Sequence, residues 1–324
     1  MKVLVTGASG QLGRCIYDII ESTFDDGCLK NEYYFATHDD FDITDMSSMI
    51  NYMYCHFVPD CIINCAAYTN VDGAEDDAYT AFKVNSEGVK NIADICKEYN
   101  IMLIHISTDY VYKDKLIGSC SEEDDIEPLN IYGQSKRDGE IQIINAELNN
   151  WYIFRTSWLY SEYGNNFVTK IVNKFYNNNI LFAVINEMGS PTYARRLAEM
   201  IISIIEEELY VNGAAYEITS GIYNFSGEGV CTRYDFANTI VDGICEKYGY
   251  LGTLVNPITQ TQANEMWGLK AKRPLHVPLN NSLINAYLNC IRNKWNIDLA
   301  ECLNRYDILR KSNDRKILYE PLKQ

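Results

Sequence analysis

No stretch of this chain approaches the roughly 18 to 20 consecutive apolar residues of a membrane-spanning helix. The opening Met-Lys-Val-Leu-Val-Thr-Gly is too short an apolar run for a secretory signal, so a cytoplasmic protein with no membrane partner is expected. Cations are scarce: 28 Lys and Arg stand against 44 Asp and Glu, a formal charge of -16 with a sequence pI near 4.7. Phosphate contacts need clustered Lys and Arg, so no nucleic-acid partner is expected. An anionic ligand would need local help from backbone amides or a few placed arginines. There is no Cys-x-x-Cys pair and no Cys/His group at zinc spacing. The 11 cysteines are scattered, and the closest pair, Cys61 and Cys65, lies in an apolar run. They read as reduced thiols packed as small hydrophobes, with no metal site. His38, His56, His105 and His276 form no motif, and none is assigned a metal or catalytic role. Internal repeats, low-complexity tracts and long linkers are missing as well.

What is present is a chain of 324 residues, 47% hydrophobic and 22% charged, long enough for one large or two intimate domains. Lys2 to Thr6 reads as a buried strand that runs into Gly7-Ala8-Ser9-Gly10-Gln11-Leu12-Gly13 and then a helical pattern. Such a loop lets backbone approach a pyrophosphate and turns amides toward its charge. Its spacing differs by one residue from the Gly-x-Gly-x-x-Gly fingerprint, and a tight turn with close helix packing would also explain it. A second strand, about Tyr33 to Thr37, leads to carboxylates that include Asp42 and Asp45. An acidic residue there suits the ribose of NAD, whereas Arg14 could meet the 2'-phosphate of NADP, so both stay open. The third strand, Cys61 to Cys65, continues into Ala66-Ala67-Tyr68-Thr69, and one long helix is expected to follow to about Tyr99 with Asn85 near its middle. The fourth, Ile101 to Ile106, ends in Ser107-Thr108-Asp109-Tyr110. Hydroxyls at the carboxyl end of a parallel strand project into the crevice where open α/β sheets bind ligands.

A helix opening at Ile131 and reaching about Leu148 carries Tyr132 and Lys136, four residues apart and therefore on one face. Lowering a phenol by roughly 3 pKa units from about 10 takes about 4 kcal/mol. A lysine ammonium roughly 5 to 6 Å away, at an effective dielectric of about 20, supplies on the order of 3 kcal/mol. The expectation is a phenol made acidic by its neighbour, although in a chain with 25 tyrosines the pair alone could be coincidental. A fifth strand, Trp151 to Arg155, completes a strand-helix alternation that implies a parallel, doubly wound α/β sheet. Beyond Tyr163 a helix from Phe167, a strand from Ile180 to Ile185, a helix to about Leu209, a short strand Gly221 to Phe225 and a mostly helical remainder are expected. Residues 1–163 are taken as the Rossmann-like dinucleotide domain and 164–324 as a smaller, interleaved nucleotide-sugar lobe.

The glycine loop, Ser107-Thr108, Tyr132 and Lys136 together resemble the extended short-chain dehydrogenase/reductase superfamily. Ala66-Ala67-Tyr68-Thr69-x-Val71-Asp72-x-Ala74-Glu75, Ser107-Thr108-Asp109-Tyr110-Val111, Arg155-Thr156-Ser157-Trp158, Gly164-Asn165-Asn166-Phe167, Gly189-Ser190-Pro191-Thr192 and Arg273-Pro274 narrow this to the dTDP-4-dehydrorhamnose reductase family. The resemblance spans Met1 to Trp295. It implies an enzyme that uses NADPH or NADH to reduce the C4 ketone of dTDP-4-dehydro-L-rhamnose, in the synthesis of a cell-surface polysaccharide precursor. Tyr132 would be the proton donor, Lys136 its tuner and a holder of the nicotinamide ribose, and Thr108 a hydrogen-bond partner of the reacting oxygen. Gly7, Gly10, Gln11, Leu12 and Gly13 would lie under the pyrophosphate, Asp42 and Ile43 beside the adenosine, and Ala66, Ala67, Tyr68, Thr69 and Asn85 along the cofactor. Asp109, Tyr110, Trp158 and Arg273 would line the sugar-nucleotide site.

The chain departs from the family at Arg195 or Arg196, where members often carry an acid, and at Leu275-His276-Val277-Pro278, which lacks the usual serine. Some members dimerise through magnesium held by a glutamate at the position of Cys15, so a homodimer stays open here. Two other functions compete. A sugar-nucleotide epimerase, dehydratase or different 4-ketoreductase would share most of the motifs. A non-catalytic NADP-binding subunit of the methionine adenosyltransferase type would have no use for the complete Thr108, Tyr132 and Lys136 set.

Overall fold

The computed structural model describes residues 1–24, 29–115, 117–177, 180–206, 210–211, 214–215, 218–249, 254–287 and 293–313. The first half alternates as expected. Strand β1 (Lys2–Thr6) feeds helix α1 (Gln11–Phe24), β2 (Glu32–Ala36) feeds α2 (Met46–Cys55), and β3 (Cys61–Asn64) leads into a helical stretch before β4 (Met102–Thr108). That stretch is broken rather than continuous: α3 (Val71–Asp76), α4 (Ala78–Phe82), a π turn (Lys83–Glu87) and α5 (Gly88–Tyr99). The break has a local cause. Asp77 leaves helical geometry at φ -133°, and its carboxylate accepts from Thr80 N to cap a new helix, which a short acid does better than it continues one.

Helix α6 (Ile131–Asn145) and strand β5 (Trp151–Thr156) follow. All six strands of the main sheet run parallel, in the order Gly221–Asn224, β5, β4, β3, β1, β2. Strands covered on both faces are apolar throughout, and their period of two divides the core. Val3 and Val5 pack toward Ile16 of α1 and toward Leu197 and Ile201 of α8 (Ala194–Ile205). Leu4, Ile62 and Leu103 pack on the other face with Met49, Ile92 and Ile143. Each such side chain, fully buried, contributes about 1.5–3 kcal/mol. Chain order reverses between β1 and β3, so the crevice at the carboxyl ends of these two strands is the switch point at which such sheets bind ligands.

A separate core joins α7 (Phe167–Tyr176), α9 (Arg233–Tyr248), the helix Trp295–Asn313 and the strand Leu181–Val184. That strand pairs in parallel with Val255–Ile258, a strand in a region expected to be helical. Pro257 within it removes a backbone donor, a feature that lowers the sequence signal for a strand. Among the described residues, no helix is long and apolar enough to cross a membrane. The nine described cysteines are free thiols.

Candidate active site

The glycine loop is built by close approach. Gly7 sits at φ +61°, and a Cβ there would lie 2.6 Å from Ala66 N; one on Gly13 would lie 2.7 Å from Ala8 Cα. Both positions therefore need glycine for packing, which brings the exits of β1 and β3 together. Between them opens a cavity of about 870 Å³. Its floor is Ser9, Gly10, Gln11 and Leu12, where α1 begins, with Ala66, Ala67 and Thr69 alongside. Small side chains and helix-start amides suit a pyrophosphate, so these residues fit a dinucleotide. Gly7 and Gly13 shape this floor without lining it.

Asn85 also acts from behind. It is buried, its Oδ1 accepts from Tyr68 N at 2.9 Å, and its Nδ2 donates to Tyr68 O and Ser135 Oγ, both at 3.0 Å. It thus clamps the loop after β3 to α6. Tyr68 itself stands outside the cavity lining. Asp42 and Ile43 do not line this cavity. Asp42 Oδ1 accepts from Thr44 N and Thr44 Oγ1 in the turn before α2, facing a separate, open depression. Ile43 is buried in the core beside Gly88. Arg14 is exposed, with its guanidinium over the Tyr163 ring.

Thr108, Tyr132 and Lys136 line the same cavity, and Thr108 hydrogen-bonds Tyr132. Asn130 starts α6 by accepting from Gly133 N at 2.8 Å, while its Nδ2 donates to Lys272 O at 2.8 Å. Gly133 lets the helix close on the turn after β4, since a Cβ there would lie 2.3 Å from Tyr110 O. The electrostatics differ from the expectation. Burial pushes the Tyr132 phenol up to about 12, and a hydrogen bond with Thr108 only partly opposes this. Burial draws Lys136 down to about 8, against the pull of Glu140. The Lys136 ammonium donates to Ile106 O at 2.6 Å, which ties it to β4. Asp109, next to Thr108, is pushed up to about 6 by burial, although Ser157 and Thr108 hydrogen-bond its carboxylate.

Asp109, Tyr110, Trp158 and Arg273 also line the cavity. Trp158 adopts φ +46°, unusual for so large a residue, and its ring lies 3.5 Å under the Arg233 guanidinium. Arg273 is tied to Asp72, whose carboxylate also accepts from Lys270 N and Ala271 N. Several lining residues escaped sequence reasoning. Arg233 and Glu187 form an ion pair at 3.0 Å, and Lys170 and Lys174 project from α7. The spacing of Lys170 and Lys174 marks one face of a helix, and Thr232 with Asp235 forms a capping box before α9. Those were the available signals, and neither says which cavity the side chains enter. Among the described residues no group of His, Cys, Asp and Glu could hold a metal ion.

A doubly wound parallel sheet, with a glycine loop at its switch point and a Thr, Tyr, Lys set lining the same cavity, defines an oxidoreductase of the short-chain dehydrogenase/reductase type. The chain belongs to the dTDP-4-dehydrorhamnose reductase family: the family model described as RmlD substrate binding domain matches residues 1–308. The dTDP-4-dehydrorhamnose reductase of Aggregatibacter actinomycetemcomitans is 38% identical over 241 residues, 74% of this chain and 78% of that protein. The crystal structure of a dTDP-4-dehydrorhamnose reductase from Clostridium acetobutylicum matches with a TM-score of 0.81 at 31% identity, over 96% of this chain and 100% of that one. The Bacillus anthracis dTDP-4-dehydrorhamnose reductase, solved in complex with NADP, matches with a TM-score of 0.80 at 30% identity, over 94% of this chain and 99% of that one.

Proposed function

We propose that this protein reduces the C4 ketone of dTDP-4-dehydro-L-rhamnose to dTDP-L-rhamnose, using NADPH or NADH, in the cytoplasm. The observation that carries this is the convergence of Thr108, Tyr132 and Lys136 on the cavity whose floor is the glycine loop. C4 would receive its hydride from a reduced nicotinamide bound on the glycine-loop floor. The ketone oxygen then needs a proton, and the Tyr132 O–H bond is the one that breaks, leaving a phenolate beside Thr108. A positioned acid of this kind contributes typically about 10²- to 10⁴-fold. Lys136 and the backbone of Ser9 to Leu12 would hold the cofactor, and Ala66, Ala67 and Thr69 would border it.

The diphosphate of the substrate would find its countercharge in Lys170, Lys174, Arg233 and Arg273, four cations gathered by a strongly acidic chain. Trp158, Tyr110 and Asp109 would border the sugar. Residues 1–163 with the strand Gly221–Asn224 would form the dinucleotide lobe, and most of 164–324 the nucleotide-sugar lobe. Freshly prepared dTDP-4-dehydro-L-rhamnose mixed with protein and reduced cofactor should consume nicotinamide absorbance in step with dTDP-L-rhamnose formation. Faster consumption with a different keto sugar would reassign the substrate, and protein purified with tightly held NAD would favour an epimerase or dehydratase.

A further inference from the structure

Beneath the cavity floor, a buried polar chain runs from β1 through β3 and β4 to Lys136. Thr6 Oγ1 donates to Asn64 Oδ1 at 2.8 Å, and the backbone N–H of Ala66 donates to the same oxygen at 3.2 Å. A backbone amide can only donate, so the Asn64 oxygen is the atom turned toward it. The Asn64 nitrogen therefore faces His105, 3.1 Å from Nδ1. An amide nitrogen brings only hydrogens, so Nδ1 must be the bare, accepting nitrogen of the ring.

His105 is completely buried. Burial, and then the charge of Lys136, hold it well below the ordinary histidine range, so the ring is neutral with its proton on Nε2. Nε2 lies 3.4 Å from Lys136 Nζ. A ring N–H aimed at an ammonium sets donor against donor, whereas the same N–H aimed at an uncharged amine meets a lone pair. The other titratable groups around this lysine do not reverse the balance. Glu140 on α6 is engaged by Arg155 of β5 and by Ser107. Tyr132 on α6, Asp109 after β4 and Cys65 after β3 share the cavity wall, and the Cys65 thiol is pushed up to about 12 by burial.

We propose that His105 is a positioning residue for Lys136: clamped by Asn64, its ring aims Nε2–H at the lysine and sets how firmly that side chain holds its proton. The proposal rests on Lys136 belonging to the catalytic set, but it is tested without turnover. In ligand-free protein labelled with [¹⁵N]histidine, which has four histidines to resolve, His105 should be neutral with Nε2 protonated and Nδ1 bare. The opposite tautomer, or a ring protonated at neutral pH, overturns the proposal, and this arm needs no variant to fold.

A titration of [¹³Cε]lysine, with Lys136 assigned through Lys136→Arg, gives the second arm. His105→Asn keeps a partner for Asn64 but offers the lysine no donor, and the Lys136 midpoint should rise by about one pH unit. His105→Gln keeps an N–H near the place of Nε2, and its midpoint should stay within about 0.3 units of the parent. Equal midpoints in all three proteins, or equal shifts in both variants, overturn the proposal. A wrong substrate would leave both readouts unchanged, and a wrong role for His105 would leave the reduction assay intact.

Discussion

At the scale of single residues, the Tyr132 phenol is set differently from what its spacing to lysine suggests. The four-residue interval puts Tyr132 and Lys136 on one face of α6, but the ammonium reaches across to Ile106 O on β4. Burial then dominates and the phenol keeps its proton at neutral pH, which a donor to a ketone requires. Tyr132→Phe should lower kcat by about 10²- to 10⁴-fold while the cofactor Kd, followed by nicotinamide fluorescence, stays within about threefold. A variant with near-parental turnover would remove Tyr132 as the acid. Lys136→Ala should damage both quantities. Asp109 offers a test in stability. Its folded pKa, about 6, lies above the usual aspartate value near 3.9. The folded state therefore holds this proton more tightly, and its contribution to stability falls as pH rises from about 4 through 6. Asp109→Asn has nothing to ionise. Its urea midpoint should exceed the parent's at pH 7, and the two should converge toward pH 4. A gap independent of pH would mean the carboxylate is not the group being titrated.

At the scale of elements, α6 works only because it sits close against the turn after β4. Gly133→Ala would place a methyl 2.3 Å from the backbone oxygen of Tyr110, and backbone cannot swing aside as a side chain can. Overpacking of this kind costs about 1–3 kcal/mol. Thermal unfolding should register that loss, and kcat should fall with it because Tyr132 rides on the displaced turn. Unchanged melting together with unchanged kcat would show that the turn yields freely. The elements carrying this chemistry were legible for a physical reason. Strands buried on both faces are apolar runs ending at small or hydroxyl residues, so β1, β3 and β4 announced both themselves and their ligand-facing ends. The helical stretch after β3 hid its break. Asp77 occupies one position of an otherwise helical pattern, and only the capping bond to Thr80 N distinguishes a new start from a continuing turn. The strand Val255–Ile258 was obscured by Pro257, and its pairing with Leu181–Val184 lies in no local pattern. Thr108, Tyr132 and Lys136 were readable because two short segments hold all three. Lys170 and Arg233 come from two helices and Glu187 from a loop, so their meeting depends on how the second core packs.

At the scale of the whole molecule, a charged contact in the cavity lining ties together distant parts of the chain. Asp72 precedes the break in the helical stretch and Arg273 lies two hundred residues later in the chain, yet their side chains are paired. Burial alone would raise the Asp72 pKa, but Arg273 and the amides of Ala271 and Lys270 outweigh it and hold the carboxyl below its ordinary value. A lowered pKa means stability that is present at neutral pH and lost as pH falls through the folded value. Asp72→Asn should therefore melt below the parent at pH 7, with the difference shrinking on acidification toward pH 3. Differential scanning calorimetry across that range checks it, and a constant difference would count against the clasp.

The same long-range organisation decides where cations stand in a chain of charge -16. Arg233 and Arg273 are each engaged by a carboxylate, Glu187 and Asp72, so Lys170 and Lys174 carry most of the attraction left for a diphosphate. Lys174 also lies 5.8 Å over the Trp267 ring, a contact that keeps it at the rim without neutralising it. Replacing both lysines by glutamine should raise KM for the nucleotide sugar by about tenfold, equivalent to about 1.4 kcal/mol, and leave kcat within about twofold, because both belong to α7 and not to the segments that carry Thr108 and Tyr132. Salt provides the sharper discrimination. Exposed charges are screened over about 10 Å at 0.1 M ionic strength, so the parent's KM should climb steeply with added salt while the double variant's stays nearly flat. Parallel salt profiles would place the diphosphate elsewhere in the cavity and leave these lysines as part of the solvated surface.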